Sequence, residues 1–94
     1  MRVIIVGSGQ LALQTAEIMI NRGDEVVIIE KQPEKAAALA ERMDCAVVEG
    51  DGADPKVQAA AEAAAADAFI AGTRDDQTNI VAAVVARRFG IPEV

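Results

Sequence analysis

The stretch RVIIVGSGQLA, residues 2–12, decides the fold. It opens with a nearly continuous β-branched run, which is typical of a strand covered on both faces. The run ends at a G-S-G turn, and the residues from about 10 to 22 carry apolar side chains at helical spacing. A buried strand, a glycine-rich turn and a helix in this order predict the first half of a βαβ unit.

The same alternation continues along the chain. Further strands are predicted over residues 25–30, 45–48 and 67–71, helices over 33–43, 55–61 and from 75 or 76 to 89, and the start of a fifth strand over 91–94. Short buried strands joined by helices require right-handed crossovers and a parallel sheet. We therefore predict an α/β fold: a Rossmann-like doubly wound parallel sheet of four strands, a fifth strand being begun or missing, with helices on both faces. Residues 1–94 are expected to form a single domain.

Three of the predicted helices have an apolar face, which the second forms with Ala36, Leu39, Ala40 and Met43. The apolar positions of the first are Leu11, Leu13, Ala16, Met19 and Ile20. In the last helix, Ile80, Val81, Val84 and Val85 share a face. Each face is expected to pack on the sheet.

Composition narrows the functional classes. The net charge is −6 and the only aromatic residues are two Phe, whereas nucleic-acid binders carry a basic face and stacking aromatics. Histidine is absent and Cys45 is the only cysteine, which excludes a disulfide within the chain and an ordinary His/Cys metal site. No catalytic acid–base set is recognisable, so we expect ligand binding without catalysis. No membrane span or signal peptide is evident, and we expect a cytoplasmic protein.

The glycine-rich turn predicts a phosphate site. Gly7 would permit the tight strand-to-helix turn, and Gly9 would let a pyrophosphate approach the backbone. The N-terminus of the helix then offers unpaired N–H groups and partial positive charge to the phosphates. Ala12 stands at the third position of the G-x-G-x-x-G/A pattern.

A carboxylate follows at the spacing that ribose recognition needs. Glu30 ends the second predicted strand about 20 residues after the turn and could accept hydrogen bonds from both ribose hydroxyls of an adenosine. It would repel a 2′-phosphate, which favours NAD over NADP, while the neighbouring Lys31 could assist a phosphate. The turn and Glu30 together predict an adenine nucleotide site.

Two further loops are expected at the same edge of the sheet, where ligands bind in open parallel sheets. Asp51, after the third strand, could accept from the adenine amino group or the ribose, or it could serve only within its loop. Thr73 and Arg74, after the fourth strand, could reach the phosphates, and Asp75 or the following Asp76 is better suited to capping the last helix.

Four blocks of the sequence together resemble a known family. RVIIVGSGQLALQTAEIM, EVVIIEK, VVEGDGADP and ADAFIAGTRDDQTN are similar to the TrkA N-terminal (KTN/RCK) domain, and the similarity runs over the whole chain. The resemblance implies a cytoplasmic module that binds NAD(H), ATP, ADP or AMP, senses the nucleotide without transforming it, and acts as paired domains on a membrane potassium-transport subunit.

The resemblance also assigns residues. The phosphate loop would comprise Gly7, Ser8, Gly9, Gln10 and Leu11, with Glu30 at the ribose, Asp51 in the third loop, Thr73 and Arg74 over the ligand, and Asn79 opening the last helix. Lys31 and Gly52, the neighbours of Glu30 and Asp51, complete the predicted binding residues.

The chain departs from the family pattern at several positions. Gly52 replaces a frequent alanine, Ala12 a glycine, and Glu62 a turn glycine, so that the alanine-rich helix is expected to run longer than in relatives. Family members continue beyond a fifth strand, so residues 1–94 are expected to lack the C-terminal part of the full domain.

Two alternatives stay open. One is the cofactor-binding half of an NAD-dependent oxidoreductase, since the strand pattern and the glycine turn are common to both. The other is a self-associating fragment without a ligand. Because a missing fifth strand would expose the edge of the fourth, we expect a homodimer or higher oligomer in either case.

Overall fold

Four parallel strands in the order β3-β2-β1-β4 form the centre of the computed structural model, which describes residues 1–94. The strands are β1 (Arg2–Val6), β2 (Glu25–Glu30), β3 (Ala46–Glu49) and β4 (Ala68–Ala71). β1 is central, with Val6 opposite Ile29 on one side and Ala71 on the other. The carboxyl ends of all four strands therefore lie along one edge of the sheet.

Helices connect the strands. They are α1 (Gln10–Asn21), α2 (Pro33–Arg42), α3 (Pro55–Ala60) and α4 (Asp76–Arg88), with a 3-10 turn at Ala63–Ala65. Pro33 and Pro55 each stand in a first helical turn, where the missing N–H costs nothing. No helix is both long enough and apolar enough to span a bilayer.

The strands bury both of their faces, in two separate cores. Alternate residues such as Ile4 and Phe69 pack with α4, while Ile5 and Ile28 pack with α1 and with Leu39 of α2. α1 and α2 thus cover one face, and α3 and α4 cover the other. The predicted doubly wound α/β fold is confirmed.

The last residues approach the sheet beside β4. Glu93 forms a parallel bridge with Ala68, and the Phe69 N–H donates to the Glu93 carbonyl over 2.8 Å. This contact agrees with the expected start of a fifth strand.

The apolar face of α1 packs on the core largely as expected, whereas that of α4 does not. On α4, the residues that pack on the sheet are Ala82 and Ala86, while Ile80, Val81 and Val84 are 65%, 48% and 51% exposed. On α1, the buried residues are Ala12 and Ala16. Leu11 is exposed, and Leu13, Met19 and Ile20 are partly buried against the core. The small side chains of Ala82 and Ala86 let α4 lie close to the sheet, and its larger apolar residues point outward.

The alanine-rich helix ends within one residue of the end predicted at 61 and does not continue through Glu62. α3 ends at Ala60, and Glu62 takes the left-handed conformation with φ of 60°. A non-glycine residue rarely adopts this conformation because its Cβ crowds the following carbonyl. In this conformation the Glu62 carboxylate accepts from the Arg2 guanidinium, which also donates to the Glu25 carboxylate.

Candidate functional site

The loops that follow the four strands enclose a cleft of about 440 Å³ at the carboxyl edge of the sheet. The residues that line this cleft are Val6, Gly7, Ser8, Gly9, Ile29, Glu30, Lys31, Gln32, Lys35, Gly50, Asp51, Gly52, Gly72, Thr73, Arg74, Asp75 and Thr78. Only two of them are apolar. The cleft therefore suits a polar ligand that forms many hydrogen bonds.

The two glycines of the turn meet different demands. Gly7 has φ of 104°, and a Cβ there would lie 2.7 Å from the Gly72 carbonyl oxygen, so the protein itself requires glycine. Gly9 is the N-cap residue of α1, and a Cβ there would meet no atom within 4 Å. No side chain caps the N-terminus of α1, and no acidic residue stands in its first turn. The space beside Gly9 is thus open to an anion at the positive end of a helix.

Glu30 is a buried carboxylate at the end of β2. Its side chain accepts hydrogen bonds from the Ser8 hydroxyl and, at 2.8 Å, from the Gln32 backbone N–H. The residue is only 7% exposed, although it belongs to the cleft lining. These bonds fix a carboxylate at the floor of the cleft, where it can accept from hydroxyl groups of a ligand.

Three cations line the cleft without a carboxylate partner. Lys31, Lys35 and Arg74 take no part in the ion pairs of the structure, which join Met1, Arg2 and Arg22 to acidic residues elsewhere. The chain as a whole has a net charge of −6, so these three unpaired cations are a local feature of the cleft. Cations of this kind can neutralise phosphate oxygens of a ligand.

The loop after β3 is tightly packed. The Asp51 carboxylate accepts from the Ala53 N–H at 2.9 Å, which folds the loop back on itself. A Cβ at Gly52 would lie 2.3 Å from the side chain of Val6, so glycine is needed at this position. Asp51 therefore has a role within its loop and also lines the cleft.

The loop after β4 is held by Asn79. Its side-chain oxygen accepts from the Thr73 N–H at 2.9 Å and from the Thr73 hydroxyl at 2.6 Å, and its amide nitrogen donates to the Thr73 carbonyl at 2.9 Å. Asn79 does not itself line the cleft. It positions Thr73, which does.

Asp75 caps α4, as expected. Its carboxylate accepts from the Gln77 and Thr78 backbone N–H groups and from the Thr78 hydroxyl. The Thr78 hydrogen bonds lower the pKa of Asp75, with a smaller contribution from the charge of Lys31. The carboxylate is thus kept ionised beside the cleft.

Cys45 lies outside the cleft, half-buried against the core on the α1 side. Burial, and to a smaller degree the charge of Asp44, raises the pKa of its thiol. A protonated thiol is a poor nucleophile, in keeping with a packing role.

Most of the residues that the sequence indicated meet at the cleft. Gly7, Ser8, Gly9, Glu30, Lys31, Asp51, Gly52, Thr73 and Arg74 line it, whereas Gln10, Leu11 and Asn79 do not. Sequence reasoning did not identify Gln32, Lys35, Gly50, Gly72 and Thr78 as lining residues. These residues lie beside the ends of strands or in the first turn of the following helix, and this position in the sequence could have indicated them.

The sequence is similar to those of known proteins. The sequence model of the TrkA-N domain matches residues 3–94. A Trk system potassium uptake protein TrkA homolog of Methanothermobacter thermautotrophicus is 33% identical over 94 residues, which are 100% of this chain and 44% of that protein. The chain thus spans less than half the length of this relative.

Solved structures share the fold. The Kef CTD of Shewanella denitrificans in AMP-bound form superposes with a TM-score of 0.80 at 20% identity, over 94% of this chain and 52% of that one. ChuY, an anaerobilin reductase of Escherichia coli O157:H7, superposes with a TM-score of 0.74 at 25% identity, over 97% and 47% of the two chains.

Proposed function

This chain belongs to the TrkA-N domain family, and we propose that it is a regulatory domain that binds an adenine nucleotide and controls a potassium transporter or channel without catalysis. NAD(H) is the first candidate ligand, and ATP, ADP and AMP are the others. The domain would act from the cytoplasmic side on a membrane potassium-transport subunit.

The arrangement of the cleft carries the nucleotide part of this proposal. Phosphates would occupy the space beside Gly9, at the N-terminus of α1, with Arg74 and Thr73 across the cleft. The ribose hydroxyls would donate to Glu30 and compete with the Ser8 hydroxyl for that carboxylate. The AMP-bound form of a structural neighbour supports a mononucleotide as an alternative to NAD(H).

The relative's name supports the transport part of the proposal. The 33% identical protein is a Trk system potassium uptake protein homolog, and the match covers the whole of this chain. A nucleotide that ordered the cleft loops would change the surface that the domain offers to a transport subunit. Regulation of this kind requires binding and no bond-breaking step, in keeping with a chain that has no histidine.

Isothermal titration calorimetry with NAD, NADH, ATP, ADP and AMP tests the proposal. We expect saturable binding of at least one nucleotide with one site per chain. An absence of heat with every nucleotide at several millimolar, supported by an unchanged melting temperature, would contradict it.

Two variants locate the binding site. Gly9→Val fills the space proposed for phosphate and should abolish binding while the protein still folds, because a Cβ at this position points into open space. Glu30→Ala removes the ribose acceptor and should weaken binding by about 1–2 kcal/mol. Gln14→Val, at an exposed position of α1 outside the cleft, is the matched control and should bind like the unaltered protein.

A second candidate function is the cofactor-binding half of an NAD-dependent oxidoreductase. The structural similarity to a reductase, at 25% sequence identity, supports this second candidate. Such a half-domain would prefer NAD(H) over AMP and ATP by a wide margin, because the nicotinamide half adds contacts. Equal or tighter binding of AMP or ATP would count against this candidate and for the regulatory one.

A further inference from the structure

One polar side chain is completely buried in the core beside the cleft. Gln58 lies on α3, is 0% exposed, and its amide nitrogen donates to the Gly52 carbonyl at 2.8 Å and to the Ala82 carbonyl at 3.0 Å. Both N–H groups are therefore used. Two carbonyl acceptors also fix the orientation of the amide, since the reverse orientation would place its oxygen against theirs.

This amide joins opposite walls of the cleft. Gly52 belongs to the loop after β3, which lines one side, and Ala82 lies one turn beyond Thr78 of α4, which lines the other. No other side-chain hydrogen bond connects these two elements. Gln58 is thus the one side chain whose hydrogen bonds reach both walls.

The Gln58 amide would be unfavourable if the side chain only filled space in the core. The Gln58 side-chain oxygen is buried and has no hydrogen-bond partner, which opposes folding. Methionine has a similar volume and would fill the same space without an unpaired oxygen. What methionine would not supply is the donor pair that holds Gly52 against α4.

We infer that Gln58 is a positioning residue of the nucleotide site, which it serves by holding the loop of Asp51 and Gly52 at a fixed distance from α4. The inference rests on the proposed function for its ligand. Asp51 folds over its own loop through the Ala53 N–H, so a carbonyl held at Gly52 also fixes the direction of the Asp51 carboxylate.

Amide hydrogen exchange without nucleotide tests the positioning itself. In Gln58→Met, the Ala53 and Asp54 amides, which bond to Asp51, should exchange at least tenfold faster, while strand β1 keeps its protection. Phe69→Leu is the matched control, because it disturbs the same core without removing the bridge, and it should leave the loop amides unchanged relative to the strands. Unchanged loop exchange in Gln58→Met would overturn the inference.

A double-mutant cycle tests the consequence for binding. With AMP as the probe, Gln58→Met should lower affinity about three- to tenfold, as expected for a lost buried hydrogen bond. The same change should have little effect in an Asp51→Ala background and its full effect in Arg74→Ala. Equal effects in both backgrounds, or none in either, would show that Gln58 does not act through the Asp51 loop.

These measurements separate the two proposals. If the unaltered protein binds no nucleotide, the proposed function fails, while the exchange experiment still decides whether Gln58 positions the loop. Gln58→Leu replaces Gln58→Met if the latter does not fold.

A further test needs no variant. In the unaltered protein, the Gln58 side-chain amide protons should exchange as slowly as core backbone amides. Rapid exchange of these protons would show that Gln58 does not bridge Gly52 and Ala82.

Discussion

Gly7 and Gly9 stand two residues apart, but only Gly7 is required by the packing of the protein itself. Gly7→Ala places a carbon 2.7 Å from a backbone oxygen at a positive φ, so it should lower the free energy of unfolding by about 2 kcal/mol or more. Gly9→Ala meets open space and should change it by less than about 1 kcal/mol. Urea denaturation of both variants measures the difference. Equal destabilisation by the two would contradict this division of roles.

Asp75 makes the stability of α4 depend on pH. Because folding lowers its pKa, the carboxylate stabilises the folded protein above the ordinary pKa of aspartate, and this contribution disappears as pH falls through the lowered value. Asp75→Asn keeps an N-capping side chain without the titration. We expect the melting temperature of this variant to fall less between pH 5 and pH 2.5 than that of the unaltered protein.

Asp76→Asn is the control for the pH experiment. Asp76 is the adjacent exposed carboxylate in the first turn of α4 and accepts none of the hydrogen bonds that cap the helix. Its variant should follow the pH profile of the unaltered protein. A profile like that of Asp75→Asn would show that the general helix field, and not the cap, sets the dependence.

The parts of the site that could be predicted were those set by local chain geometry. Gly7, Gly9 and Glu30 follow from a strand, a turn and the length of one βαβ unit. Gln58 could not be predicted, because its partners lie 6 and 24 residues away and meet only in the folded protein. The supporting role of Asn79, six residues from Thr73, likewise depends on how the loop closes on α4.

At the scale of elements, the order and type of every strand and helix could be predicted, because each strand is a short apolar run with a glycine or a cap nearby. The side of α4 that packs on the sheet could not. Periodicity identifies which residues share a face of a helix. It does not indicate that the face of α4 with alanines, and not the one with isoleucine and valine, packs on the sheet. The end of α3 was predicted to within one residue, but the left-handed conformation of Glu62 just beyond it was not, because the position carries no glycine to indicate it.

At the scale of the whole molecule, the exposed apolar residues of α4 support the expected self-association. Ile80 and Val84 lie on the exposed side of α4, next to an apolar groove formed with Phe69, Ala71 and Val94. Exposed apolar clusters of this kind mark contact surfaces. We expect sedimentation at tens of micromolar to show a dimer or larger oligomer, and Ile80→Lys with Val84→Lys to shift it toward monomer.

The opposite face of the sheet offers a matched control. Leu11 and Ile18 of α1 are 77% and 62% exposed, so Leu11→Lys with Ile18→Lys adds the same charge at similar positions. This double variant should keep the oligomer. Dissociation by the α1 variant alone would place the contact on the other face of the sheet. A strictly monomeric unaltered protein would contradict the expected self-association.

The scarcity of apolar side chains in the cleft has a thermodynamic consequence. Val6 and Ile29 are the only apolar residues of its lining, so a ligand that enters removes little hydrocarbon surface from water. The heat capacity change of binding should be small, and the favourable term should be enthalpy from hydrogen bonds and charge contacts. With Lys31, Lys35 and Arg74 exposed to solvent ions, affinity should fall as ionic strength rises. The occupancy of the cleft would then respond to the salt content of its surroundings as well as to nucleotide concentration.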